Sequence, residues 1–225
     1  MIPFIDIHTH FRTNVPDTIS VLNFTQKDDW SGFDAAFLSE KMYASVGLHP
    51  WFLTKENAAP DLARISELIG NQYIIALGEC GLDRLKGESL EFQTHIFEAQ
   101  IHLAEKKYKP IIIHCVKAFN EIIALKKRMR LNVPLIIHGF NQNEIILKEL
   151  IKHNFFISIG TNVLKNNSNA YKAVTQIPIN QLFFETDDSD IDIKMVYERA
   201  ALLLNMPLEE LKVQIFNNFN NILTP

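Results

Sequence analysis

A chain of 225 residues is long enough to bury one sizeable core, and its formal net charge of -4 argues against a protein that holds nucleic acid through a broadly basic surface. With 47% hydrophobic and 21% charged residues it is not a disordered chain, and two cysteines, Cys80 and Cys115, are too few for a secreted disulfide scaffold. Polar Asp6 comes too early for a signal peptide and no apolar run reaches membrane-spanning length, so the sequence reads as a soluble, cytoplasmic protein with no membrane partner.

In chain order, apolar runs fall at residues 2–7, 19–24, 43–48, 73–77, 110–113, 134–137, 155–159 and 181–184, most of them followed by a helical pattern. Strand alternating with helix points to a parallel sheet, whose strands are covered on both faces and therefore read as continuous Ile, Val, Leu and Phe. Helical spacing is clearest over 90–107, where Phe92, Ile96, Ala99 and Leu103 form one stripe, and over 118–130, where Ile122, Leu125 and Met129 do the same. Residues 143–152, 191–204 and 208–223 also read as helices. Eight strands with peripheral helices predict a TIM-like (β/α)8 barrel, a single domain over residues 1–225. Its cover should be abbreviated near the first helices, because only residues 11–18 separate the first two strands.

Polar residues gather where the runs end: His8 and His10 after the first, His49 after the third, Glu79 after the fourth, His114 after the fifth, His138 after the sixth, and Glu185 with Asp187 after the eighth. Side chains of an extended chain alternate faces, so Asp6, His8 and His10 leave one side of the first strand, where two imidazoles can capture one metal ion. In a barrel the carboxyl ends of the strands converge on one mouth, where active sites are built. Cys80 and Cys115 each follow a candidate ligand and should point the other way, as buried thiols behind the site.

The ordered series I-D-I-H-T-H at 5–10, G-L-H-P at 47–50, G-E-C-G-L-D at 78–83, I-I-H-C at 112–115, I-H-G-F at 137–140 and E-T-D at 185–187 resembles the TatD family of metal-dependent hydrolases. Gln93, Phe97, Gln100 and Ala104 are similar to that family's long helix, and Asn218 to its C-terminal asparagine. The resemblance implies a TIM-like barrel that hydrolyses phosphodiester bonds, as a nuclease on DNA, with one or two divalent metal ions. Carried over position by position, it implies that His8, His10, Glu79 and Asp187 hold one metal and that Glu79, His114 and His138 hold the second, Glu79 bridging. Imidazole and carboxylate ligands of this kind suit zinc, manganese or magnesium. Asp187, with Glu79, is then catalytic: it orients the attacking water and takes its proton. His49 is either a substrate-phosphate contact or a cap for the turn at Pro50, Asp83 a substrate contact or a loop cap, and Asp6 a third ligand or, from its place two residues deeper in the strand, rather a partner that orients a histidine. Arg12 and Arg84, just past ligand strands, are placed to touch an anionic substrate.

Departures from the family pattern fall around the substrate. Val116 stands where the family carries an arginine, which would clamp a phosphate with two hydrogen bonds. Asn141-Gln142 and Asp188-Ser189 replace small residues, and Asp187, Asp188, Asp190 and Asp192 place four acids near the expected mouth. The most basic run, Lys126 to Arg130, ends a helix that travels away from the mouth and reads as a solvated face. The expected substrate is thus a DNA strand or a nucleotide, with alternatives in a small phosphoester, an amide or a lactone; a further alternative is that the chain is itself a metal-binding subunit of weak catalysis that acts through a partner protein.

Overall fold

Every one of the eight apolar runs forms a strand. The structure, a computed structural model, describes residues 2–11, 17–28 and 42–224. The strands are β1 Phe4–Thr9, β2 Thr18–Phe24, β3 Met42–Val46, β4 Ile74–Asp83, β5 Ile111–Val116, β6 Leu135–Ile137, β7 Phe156–Ile159 and β8 Leu182–Phe184. Hydrogen-bonded neighbours follow chain order from β1 to β8. The helices are α1 Ala58–Leu68, α2 Leu90–Lys107, α3 Phe119–Met129, α4 Glu144–Lys152, α5 Asn169–Ala173, α6 Ile193–Leu204 and α7 Leu208–Leu223. The expected abbreviation near the first helices concerns segments that include 12–16 and 29–41, which lie outside the described residues.

The chain divides into two compact units, residues up to 22 with 136–224, and residues 23–135. In the first, β1 pairs with β2 in parallel, Phe4 opposite Thr18, and β7 pairs with both β6 and β8. The chain just beyond β8 meets the end of β1 through a parallel bridge between Thr9 and Asp187. Helices α6 and α7 pack on β1 and β8. The buried Tyr197 hydroxyl of α6 accepts from the Ile5 N–H and donates to the Ile5 carbonyl, both at 3.0 Å, so that one side chain satisfies both main-chain groups of a strand residue. Asn218 of α7 donates to the Ile179 and Leu182 carbonyls at 2.7 and 2.9 Å, tying its helix to the start of β8.

In the second unit β4 pairs in parallel with β3 and with β5, and the Gly47 N–H reaches the Phe24 carbonyl at 3.1 Å. All ten residues of β4 are buried. Its apolar run stops at Leu77, but the strand continues through Glu79 to Asp83, and β5 continues past His114 to Val116. The candidate ligands Glu79 and His114, expected after their strands, therefore lie within them. Close approach explains the extension: at Gly81, φ +141°, a Cβ would lie 2.1 Å from the His114 carbonyl oxygen.

Helix α2 has the expected bounds but turns a different face inward. Its buried residues are Gln93, Ile96, Phe97, Gln100, Ile101 and Ala104, so of the predicted stripe only Ile96 is fully buried. Helix α1, which the sequence reading did not single out, buries Ala58 and Ile65. Helix α3 ends as expected in Lys126, Lys127 and Arg128, with Arg130 in the left-handed cap position and Arg128 paired to Glu98 of α2. Cys80 is buried as expected, whereas Cys115 is only half-buried.

Tyr197→Phe removes the hydroxyl that satisfies the Ile5 N–H and leaves that buried donor unpaired. A loss of about 1–3 kcal/mol in unfolding free energy is expected, read from the urea midpoint; an unchanged midpoint would show that Ile5 finds another partner.

Candidate functional site

In the first unit the end of β1 and the turn after β8 assemble a set of metal-donor atoms. The Asp187 N–H donates to the His8 carbonyl at 3.0 Å and the His10 N–H to the Asp187 carbonyl at 3.1 Å. Asp187 adopts φ +53°, a left-handed conformation that aspartate tolerates better than most residues. As a result the Nε2 atoms of fully buried His8 and of His10 each lie 3.5 Å from the same oxygen, Asp187 Oδ1. Donors of a tetrahedral ion with bonds of 2.0–2.1 Å stand about 3.4 Å apart, so the spacing fits a metal better than a direct hydrogen bond.

His138, just past β6, has its ring centroid 4.5 Å from that of His8 and its Nδ1 3.5 Å from Glu185 Oε1. Glu185 is fully buried; Oε1 accepts from the Gly139 N–H at 2.5 Å, and Oε2 has no hydrogen-bond partner among the described residues. A buried carboxylate oxygen left in that state favours a nearby cation. Two groups here, His8 with His10 and Asp187, and His138 with Glu185 and Asp187, hold donor atoms all within 4.8 Å of one another.

Asp6 serves a different partner from the expected histidine. Its oxygens accept from the Thr186 N–H at 3.0 Å and the Thr186 hydroxyl at 2.7 Å, which lies 2.9 Å from the Thr9 hydroxyl. It thereby holds the residue that precedes Asp187. Burial pushes the Asp6 carboxyl up to about 7, against the lowering effect of the Thr186 hydrogen bonds.

In the second unit buried Glu79 is the centre. Its Oε1 lies 3.1 Å from His49 Nε2 and 2.8 Å from His114 Nδ1, and these three side chains also hold their donor atoms within 4.8 Å. The Glu79 N–H donates to Asn23 Oδ1 at 2.6 Å, and the Gly78–Glu79 peptide is cis. His49 caps the turn Pro50–Phe52, its Nδ1 accepting from the Trp51 N–H at 3.1 Å, so a neutral ring carries its proton on Nε2, toward Glu79. The capping alternative is therefore realised, and the same ring orients a candidate ligand. Gln26 brackets His49, accepting from its N–H and donating to its carbonyl at 2.8 and 3.0 Å, and Gln100 does the same for Leu48 at 2.7 and 3.3 Å.

Asp83 is a loop cap and more. Oδ1 accepts from the Leu85 N–H at 2.8 Å, while Oδ2 accepts from the Trp51 indole at 2.5 Å and lies 3.2 Å from His114 Nε2. Burial would raise this carboxyl, but the hydrogen bonds from Trp51, Leu85 and His114 hold it below its usual value. The Arg84 guanidinium is directed at Glu121 and the Lys117 carbonyl, so its charge is already paired on the side of α3. Arg12 lies outside the described residues.

The replaced positions have structural employment. Asn141 Oδ1 accepts from the Ala170 N–H at 2.9 Å, anchoring α5, and Asp192 caps α6 by accepting from the Lys194 N–H at 2.9 Å. Asp188 and Asp190 instead line a cavity of about 410 Å³ with Glu185, Asp187, Asn162 and Gly160. Asn23, Gln26 and Trp51 escaped the sequence reading; an Asn inside the apolar run 19–24, and a Trp inside G-L-H-P-W, were the available signals.

The family model described as TatD related DNase matches residues 17–224. A metal-dependent hydrolase of Bacillus subtilis, YabD, is 32% identical over 208 residues, covering 80% of each chain, and one of Methanocaldococcus jannaschii, MJ1582, is 28% identical over 190, covering 79% of this chain and 74% of its own. Among solved structures, the TatD homologue YjjV of Escherichia coli superposes with a TM-score of 0.83 at 22% identity, covering 99% of this chain and 98% of its own. A TatD family hydrolase of Entamoeba histolytica gives 0.82 at 17% identity, covering 98% and 97%. The TIM-like (β/α)8 fold expected from the sequence is the fold of these structures. No helix among the described residues is long and apolar enough to cross a membrane.

Titrating zinc or manganese into chelator-treated protein is expected to raise Tm, since a ligand at 100 times its Kd stabilises the folded state by about 2.7 kcal/mol. The gain should shrink in His8→Ala, and a Tm indifferent to both metal and chelator would count against metal binding.

Proposed function

The chain belongs to the TatD related DNase family of metal-dependent hydrolases, and from that premise we propose that it hydrolyses phosphodiester bonds of DNA, releasing nucleotides from a strand. The meeting of the His8 and His10 Nε2 atoms on one Asp187 oxygen, each at 3.5 Å, is the observation that carries the reading. His8, His10 and Asp187 would hold a divalent ion, zinc, manganese or magnesium. Within its own unit Glu79 with His114 offers further donors of the kind the family uses, and His138 beside Glu185 does so in the first unit. When bound, such an ion would supply Lewis acidity toward a phosphoryl oxygen and would lower the pKa of water so that hydroxide is available as nucleophile at neutral pH.

The rest of the chemistry belongs to the chain. Asp187 accepts the proton of the attacking water: its side chain is 38% exposed, so solvent reaches it, while its backbone is held to His8 and His10. The phosphorus–oxygen ester bond breaks, and the proton taken up by Asp187 passes, directly or through solvent, to the leaving alkoxide. His49 keeps the Glu79 carboxylate aimed, because its other ring nitrogen is committed to the Trp51 N–H. Asp83 plays the same part for His114.

A second reading, hydrolysis of a small phosphoester, an amide or a lactone, draws on Asp188 and Asp190, whose presence on the cavity beside Asp187 disfavours a polyanion, and on Val116.

Release of nucleotides from an end-labelled strand with added magnesium or manganese separates the readings. Wild type is expected to cleave only with metal, and Asp187→Asn to lose about 100-fold or more in rate. Metal-loaded wild type no faster than Asp187→Asn would refute DNA hydrolysis and move the assignment to the smaller substrates.

A further inference from the structure

The turn after β3 carries two aromatic rings outside the ligand set, each met by a lysine, one from the loop after β4 and one from the chain just after β2. The Lys86 ammonium lies 3.6 Å from the centroid of the Trp51 ring, and the Lys27 ammonium 3.9 Å from that of Phe52. A tryptophan that only fills a core is covered, and one that only decorates a surface is untethered. Trp51 is neither: it is 38% exposed, yet its indole N–H is anchored on Asp83 Oδ2, the same oxygen that approaches His114 Nε2. The ring is thus held one carboxylate away from a candidate metal ligand. It also stands edge-on to His49 and His114, at centroid distances of 4.9 and 5.4 Å.

The loop that carries Lys86 is held as firmly. Gln93 Nε2 donates to the carbonyls of Asp83, Lys86 and Glu88 at 2.9, 3.0 and 2.7 Å. Gly87, at φ +88°, approaches the turn so closely that a Cβ there would lie 2.4 Å from the Pro50 carbonyl oxygen. Backbone fixed beside backbone, with an exposed lysine side chain resting on an exposed indole, is a built surface and not a chance contact.

We propose that Trp51 and Lys86 form a subsite for one nucleotide unit of the substrate, the indole stacking on its base and the Lys86 ammonium pairing with its phosphate. The proposal rests on the phosphodiesterase reading above and deepens it. A flat ring carrying an anion is the ligand that a fixed indole and a mobile cation recognise together: the indole takes any base through its π face, and the ammonium, a compact charge on a flexible stem, takes the phosphate. Before substrate arrives the ammonium rests on the ring by cation–π attraction. An entering base replaces it there, and the stem turns the freed charge to the phosphate. Lys86 thereby supplies the positive charge that Val116, at the arginine position, cannot.

Three measurements on the full chain test this, the salt dependence of strand binding among them. Tryptophan fluorescence is titrated with deoxyadenosine monophosphate and with deoxyribose 5-phosphate, in wild type, Trp51→Phe and Lys86→Gln. Cleavage is measured on an end-labelled strand and on the same strand with abasic terminal units. The monophosphate should quench wild type and not Trp51→Phe, whose remaining tryptophan is Trp30, and the sugar phosphate should not. Lys86→Gln should flatten the log–log salt dependence of strand binding by about 0.7, the share of one phosphate. Trp51→Leu should raise KM about 5-fold or more further on the base-bearing strand than on the abasic one. Equal quenching by both ligands, quenching that survives in Trp51→Phe, or equal KM effects on the two strands would overturn the subsite. Quenching as expected without cleavage of either strand would keep the subsite and sink the phosphodiesterase reading; cleavage with neither quenching nor base preference would do the reverse.

Discussion

Two main-chain hydrogen bonds, from the Asp187 N–H to the His8 carbonyl and from the His10 N–H to the Asp187 carbonyl, join the last residues of β1 to the chain leaving β8. The meeting of His8, His10 and Asp187 follows from them. Side chains on two segments far apart in sequence can offer nitrogen and oxygen to one ion only if their backbones are locked in register, and a parallel bridge does this without spending the side chains themselves. Asp6 reinforces the lock from below by holding Thr186 through both carboxylate oxygens. The ligands are therefore preorganised by strand geometry, which is stiffer than a loop would be.

The second unit solves the same problem with amides. Glu79 is buried, and burial of a carboxylate costs several kcal/mol unless its oxygens are met by hydrogen-bond donors or cations. His49 and His114 meet one oxygen, and each is held in turn by a group with no role in chemistry: Trp51 N–H and Gln26 for His49, Asp83 for His114. Gln93 and Gln100 work one layer further out, bracketing the main chain around Asp83 and Leu48. An uncharged amide both donates and accepts, so it can satisfy an N–H and a carbonyl of the same strand end where an aliphatic side chain would leave both unmet.

That use of amides explains where the sequence was legible and where it was not. Strand positions were visible because buried parallel strands are runs of apolar residues, and the ordered ligand motifs stood at their ends. The inward face of α2 was not visible to hydrophobic periodicity, since two of its six buried residues are glutamines; the resemblance at Gln93, Phe97, Gln100 and Ala104 pointed to it better than the stripe of Phe92, Ala99 and Leu103. The same blindness shortened β4, because Glu79 and Asp83 look like loop residues until their partners are known. Asp6 and Arg84 illustrate the other limit. Which group a side chain meets depends on the neighbouring strand or helix, here Thr186 and Glu121, and nothing local announces either partner.

The left-handed backbone at Asp187 also bears on how such a protein could change over time. At a positive φ glycine, asparagine and aspartate are more comfortable than most residues. Glutamate, the usual replacement for an aspartate ligand, would keep the charge and strain the bridge to β1. Asparagine and glycine, each one base change away in the genetic code, would keep the bridge and abolish the carboxylate. A lineage that abandoned catalysis while keeping the fold would then carry Asn or Gly at this position, and its sequence would record the loss at a single codon.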